Sequence, residues 1–142
     1  MEPSYTGRPL WADINLDALS HNVTTLLGAA APAMLCATVK ANAYGHGAAE
    51  VARAVLAAGA KRVAVICVDE GIQLRRAGIT QPIHVLGWTP AGEAAAVVEH
   101  GLTPAVHDGA LVDALALEAS RQKKNVQVHL EVETGLNRHG LG

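Results

Sequence analysis

The sequence contains no phenylalanine and only two residues each of cysteine, methionine, tryptophan and tyrosine. Half of its 142 residues are hydrophobic, so a core must be filled by alanine, valine, leucine and isoleucine. Charge of either sign is also scarce: 11 basic residues stand against 13 acidic ones, interspersed along the chain. That excludes a basic stripe for nucleic acid and a polybasic membrane anchor. No apolar run reaches about 18 residues, which excludes a helical membrane span, and "MEPSYTGRPL" lacks the charged-then-apolar pattern of a secretory signal. Cys36 and Cys67 each sit in an apolar run and read as buried thiols of a reducing compartment, not as a disulfide framework. A cytoplasmic protein with no nucleic-acid or membrane partner is the expectation.

What is present is a repeat of short apolar runs and helical stretches. The runs lie at 35–39, 62–68, 82–86, 102–106 and 126–132. Between them, Val51, Val55 and Leu56 share one helical face, with Glu50 and Arg53 off it. Asp69 is the expected N-cap of a helix over 70–77 that ends at Gly78. Thr89 and Pro90 are expected to open the next helix as cap and first residue, and Gly101 to close it. Asp108 can cap a further helix carrying Leu111, Leu115 and Ala119 on one side.

Strands too apolar to alternate, each followed by a helix, predict a parallel sheet covered by helices. A doubly wound sheet and a (β/α)₈ barrel both fit. No G-x-G-x-x-G follows the first run, which argues against a dinucleotide-binding sheet. A barrel needs about 250 residues, so the expectation is the N-terminal part of one, about five βα units over residues 16–142. The remainder of the barrel is then expected to lie outside this chain. The start differs from the repeat: Trp11–Asn15 alternates like a strand, and Leu19, Val23, Leu26 and Leu27 then follow helical spacing as far as Gly28. Residues 1–15 are therefore expected to pair with something outside the barrel.

Lys40 ends the first run of the repeat, in a chain with only four lysines. In parallel α/β structures the C-terminal strand ends carry the active site. A desolvated lysine there can act as a nucleophile toward carbonyls; a lysine merely reaching out to solvent is the bland alternative. The residues that follow, "AYGHG", offer a phenol and two glycines that allow close backbone approach to a ligand.

The stretch "VKANAYGHG" closely resembles the pyridoxal-phosphate attachment motif of alanine racemases, V-K-A-[DN]-A-Y-G-H-G. "WADINLDALSHN" is similar to that family's opening, and "VHLEVETGLNRHG" to its H-L-K-[VI]-D-T-G-M-x-R-x-G. The three motifs occur in the family's order and span the chain. Barrel decarboxylases share the "VK-x-N" start but lack "AYGHG".

The resemblance implies a fold, a cofactor and roles. Lys40 would carry pyridoxal 5'-phosphate as an aldimine and serve as the base on one face of the substrate. Tyr44 would bond the cofactor phosphate. Arg138 would contact the phenolic oxygen near the substrate carboxylate. Leu86 would lie against the ring. The family has a second, mostly β domain supplying the opposing base, and it works as a homodimer. The N-terminal strand of residues 1–15 would belong with that C-terminal β domain. The implied reaction interconverts L- and D-alanine by two-base proton transfer, supplying D-alanine for peptidoglycan. A broader racemase acting on serine and a non-catalytic pyridoxal-phosphate-binding protein are the alternatives.

One departure concerns position 131, where many family members have a carbamylated lysine. Glu131 offers a carboxylate on a shorter arm that can orient Arg138 directly, or it is simply a strand-end acid. Glu133 replaces the more usual aspartate. His46 reads as a loop-shaping residue or a site contact. His21, His84, His100, His107, His129 and His139 show no ligand spacing, so no metal is expected. Asp69 and Glu70 read as a helix cap with its first-turn acid, Lys123 and Lys124 as a solvated loop, and Trp88 as an entrance, dimer-contact or packed loop residue.

Overall fold

The computed structural model describes residues 10–142; residues 1–9 of the opening segment lie outside the described residues. Asn15 begins the first helix, α1, Leu16–Ala30: its side chain accepts the Ala18 N–H at 2.9 Å, satisfying one donor the helix leaves unpaired. The helix passes through Gly28, where the composition predicts its end. Ala29 and Ala30 continue it, and Pro32 prevents further extension. Upstream, Trp11–Asn15 forms no strand and takes part in no strand pairing among the described residues, and Trp11 is 69% exposed.

The repeat follows as β1 Cys36–Thr38, α2 Ala48–Ala57, β2 Arg62–Val65 and α3 Val68–Arg76. It continues as β3 Ile83–Val85, a 3₁₀ turn Ala91–Glu93 running into α4 Ala94–His100, β4 Thr103–Val106, α5 Gly109–Gln122 and β5 His129–Leu130. Asp108 caps α5 as expected, accepting the Leu111 N–H at 2.9 Å, and Gly101 closes α4 in the left-handed conformation. Two cap expectations fail. The residue preceding α3 is Cys67, with Asp69 already inside the first turn. Thr89 is buried with its hydroxyl unpaired, and Pro90 precedes the 3₁₀ turn without a side-chain cap. The 126–132 run contributes only two strand residues.

All five strands are parallel and lie in the order of the chain. This order resolves the two architectures the sequence leaves open. A doubly wound sheet reverses its strand order, which sends helices to both faces. Without reversal, right-handed crossovers place every helix on one face. The sheet is accordingly a sector of a barrel wall. Its outer face is the core: Val63, Val65, Ile83 and Val85 are fully buried under the helices, joined by Val97 and Leu111. Each such side chain contributes roughly 1.5–3 kcal/mol when removed from water. The inner face carries Cys36, Thr38 and Lys40 from the first unit and is open. Cys36 and Cys67 are both exposed, contrary to the buried reading: one lies on this open face, the other at the start of α3. Partial burial raises the Cys36 pKa, an effect opposed by the nearby Arg62 cation.

Candidate active site

Parallel strands end together, so the residues after each strand form one rim. Lys40 follows β1, Leu86 follows β3, His107 follows β4 and Glu131 follows β5. The sequence-predicted residues Lys40, Leu86 and Glu131 are therefore placed on one side of the molecule. Tyr44 and Arg138 lie on loops leaving that rim.

The chain after Lys40 does not continue as strand or right-handed helix. Ala41, Asn42, Ala43 and Tyr44 all have φ between +51° and +55°, a single left-handed turn built without glycine. L-residues adopt this conformation at a cost of roughly 1–2 kcal/mol each, so surrounding contacts must hold it. Ala43 donates to Val39 O at 2.9 Å, and Gly45 to Ala41 O at 3.1 Å. The Asn42 side chain accepts from Ala48 N at 2.8 Å, and His46 Nδ1 lies 2.8 Å from Ala43 O, which matches its loop-shaping reading. Gly45 and Gly47, both at φ +89°, reverse the chain into α2. The two glycines thus shape the turn itself.

A residue whose contact with this turn the sequence did not reveal completes it. Glu70, read as a first-turn acid, accepts Ala41 N–H through Oε1 at 2.7 Å and Ile66 N–H through Oε2 at 2.9 Å. One carboxylate so joins the start of the lysine turn to the end of β2. The signal available in the sequence was only an acid five residues after a strand end.

Lys40 is half-buried, and its ammonium has no hydrogen bond or ion pair among the described residues. Tyr44 is 61% exposed. Leu86 projects from the end of β3 beside Gly87, where a Cβ would stand 2.3 Å from the Ile66 carbonyl oxygen. Only glycine permits that approach, and Gly87 N–H donates to the same oxygen at 3.1 Å. Trp88, one residue on, is exposed and not packed into a loop.

Around β5, Glu131 Oε1 lies 4.0 Å from Arg138 Nη2, and Oε2 lies 3.9 Å from His107 Nδ1. That oxygen and His107 Nδ1 are buried without a hydrogen bond. Glu133 accepts the backbone N–H groups of Gly135 and Arg138. The N–H groups of Asn137 and Gly135 hold its carboxyl below the usual carboxylate range. The loop bearing Arg138 is thereby fastened at its base, with Leu141 N–H donating to Glu131 O at 2.9 Å.

The histidines form pairs that linear spacing does not reveal. His107 stacks on His139 with ring centroids 5.2 Å apart, and His84 meets His129 at 4.1 Å. His84 is held at a pKa of about 4, first by burial and then by the charges of His129 and Arg62. Among the described residues no three histidine, cysteine or acidic side chains group as metal ligands. No helix among them is long and apolar enough to cross a membrane.

The arrangement offers a primary amine, a phenol, an apolar side chain and a carboxylate-paired guanidinium on one rim. Such an amine can condense with an aldehyde. Comparison with known proteins gives concordant matches. The family model for the alanine racemase N-terminal domain matches residues 14–142. Alanine racemase of Carboxydothermus hydrogenoformans is 45% identical over 134 residues, covering 94% of this chain and 36% of its own length. That of Symbiobacterium thermophilum is 46% identical with the same coverage. Among solved structures, alanine racemase from Streptomyces coelicolor A3(2) superposes with a TM-score of 0.86 at 36% identity, covering 91% of this chain and 35% of that one. The Bacillus anthracis alanine racemase with bound L-Ala-P gives 0.83 at 35% identity, covering 94% and 36%. The chain thus spans about a third of the length of the curated relatives it matches.

Proposed function

The chain belongs to the alanine racemase family, and from that premise we propose that the complete protein interconverts L- and D-alanine using pyridoxal phosphate held on Lys40. The observation that carries this reading is the half-buried Lys40 amine, without a partner among the described residues, on the rim of a barrel wall at the start of the turn spelled "KANAYGHG". The residues present fit a flat, anionic aldehyde: an amine to hold it, an exposed phenol, an apolar side chain and a guanidinium. When bound, the cofactor supplies an electron sink that acidifies the Cα–H of an amino acid joined to it.

Each side chain then has one task. Lys40 would hold the cofactor and would take or return the proton on one face of the substrate Cα. Tyr44 donates its hydroxyl proton to the phosphate. Leu86 presents an apolar surface to the ring. Arg138 would donate to the phenolic oxygen, near the substrate carboxylate. Glu131 keeps the guanidinium turned inward through its ion pair, a carboxylate supplied without carbamylation; the 4.0 Å separation supports this role. One lysine serves one face, so the opposite proton comes from a base elsewhere in the complete protein. We place residues 1–15 with a further, β-rich domain, a reading that rests on the family resemblance. Homodimerisation, a cytoplasmic location and the supply of D-alanine to peptidoglycan follow from the family reading.

Borohydride reduction of the complete gene product loaded with pyridoxal phosphate, followed by peptide mapping, tests the reading. The pyridoxyl group is expected on the peptide carrying Lys40. Lys40→Ala is expected to abolish both the near-visible absorption and the racemisation of alanine, assayed beside serine. A tag on another lysine would overturn the assignment.

A further inference from the structure

The left-handed turn after Lys40 poses a question that the roles above leave open. Four consecutive residues with Cβ atoms occupy a conformation that favours glycine. Such a turn persists only when its surroundings over-determine it. Most of the bonds that hold it are internal. Gly45 N–H to Ala41 O and Gly47 N–H to Asn42 O move with the turn if it tilts, while Ala43 N–H to Val39 O ties its end to the buried residue after β1. Asn42 Oδ1 binds the first residue of α2, the helix into which the turn leads. The contact of a different kind is Glu70, which reaches from α3 to the turn's first N–H, on the residue next to Lys40. Its second oxygen is anchored on Ile66 N–H at the end of β2.

We infer that Glu70 is the positioning residue of Lys40: by accepting Ala41 N–H and Ile66 N–H together, its carboxylate fixes the turn that aims the lysine side chain. The chemistry of the group is specific. Two backbone donors face two oxygens, and only a carboxylate presents an acceptor on both arms. An amide of the same shape would set an NH₂ against one N–H, leaving that donor opposed as well as unpaired. An aspartate is one methylene shorter and cannot span both donors from the same backbone position. The inference rests on the reading of Lys40 as the cofactor-bearing amine.

The test uses the complete gene product with Glu70→Gln, and Glu50→Gln as a surface control, since among the described residues Glu50 pairs with exposed Arg53 alone. Hydrogen exchange is followed in the cofactor-free protein. Peptides covering 40–47 and 65–67 are expected to exchange about tenfold faster or more in the Glu70 variant, as befits loss of a charge-assisted bond. The peptide covering α5, residues 109–122, should be unchanged. A general stability role would accelerate all three together and overturn the proposal. In the loaded protein, borohydride reduction of the near-visible band is expected to be several-fold faster in Glu70→Gln, because a loosened turn exposes the linkage. If the wild type carries its tag on Lys40 while the variant matches it in exchange and reduction, the positioning role is refuted and the function stands. If the wild type carries no tag on Lys40, the functional reading itself fails. Should Glu70→Gln not accumulate as folded protein, Glu70→Asp, which keeps the charge and one anchor, is expected to accelerate exchange in only one of the two peptides; acceleration in neither would refute the role.

Discussion

Replacing Arg75 probes how one side chain ties two βα units together. Its guanidinium donates to four backbone carbonyls: His100 O at 2.8 Å, Gly101 O at 2.9 Å, and Ile79 O and Gln81 O at 2.7 Å each. The first two close α4, and the other two belong to the loop before β3. Burial lowers the Arg75 pKa, as expected for a cation held by carbonyls and partly stripped of water. The bonds to His100 and Ile79 are part-buried, and each merits about 1.5 kcal/mol; the two exposed ones merit about 0.5 kcal/mol each, since water replaces them readily. Arg75→Met, which keeps most of the stem, should then cost about 4 kcal/mol. Native-state hydrogen exchange of α3 and α4 in the complete gene product reads this locally, as protection reduced by roughly 10³-fold. Arg75→Lys has a single donor head and should recover about half. Arg76→Met, exposed on the same helix, should stay within about 0.5 kcal/mol. An Arg75→Met loss below about 1 kcal/mol would show that solvent satisfies these carbonyls and that the fork of donors does not join the units.

Gly87→Ala would place a methyl group 2.3 Å from the rigid Ile66 carbonyl and force β2 and β3 apart at the rim. About 2–3 kcal/mol of stability should be lost in urea unfolding; an unchanged unfolding midpoint would contradict the close approach. His84 supplies a pH dependence with a definite sign. Its folded pKa of about 4 lies below the ordinary value of 6.5, so the unfolded chain takes up the proton first as pH falls. Stability should therefore decline from about pH 6.5 to about 4, and His84→Gln should remove that part of the slope. A wild-type slope retained in His84→Gln would assign the effect to another group.

Much of the architecture was legible because its signals are local. The apolar runs fall on the strands, Asp108 caps its helix, and Gly101 ends one, each a consequence of backbone donors and torsions within a few residues. The readings that failed depended on neighbours distant in the chain. Asp69 looked like a cap but lies inside the first turn, and Glu70, a first-turn acid as read, also accepts a backbone N–H 29 residues away. Thr89 had the right spacing for a cap but is buried by what packs over it. The cysteines lie in apolar runs but fall on the open inner face and at a helix start.

Composition and order of residues by themselves determined a parallel α/β chain, the family it resembles and the lysine at a strand end. Periodicity and motif spelling are properties of a line, and they survive without a third dimension. Tertiary structure alone decided that the strands run in unbroken order, so that helices cover one face and leave the other open. It also decided the left-handed sense of the turn beyond Lys40 and the pairing of His107 with His139. The reason is physical: handedness in a turn without glycine, and a carboxylate between the amides that follow two neighbouring strands, are stable only when residues far apart in sequence arrive together.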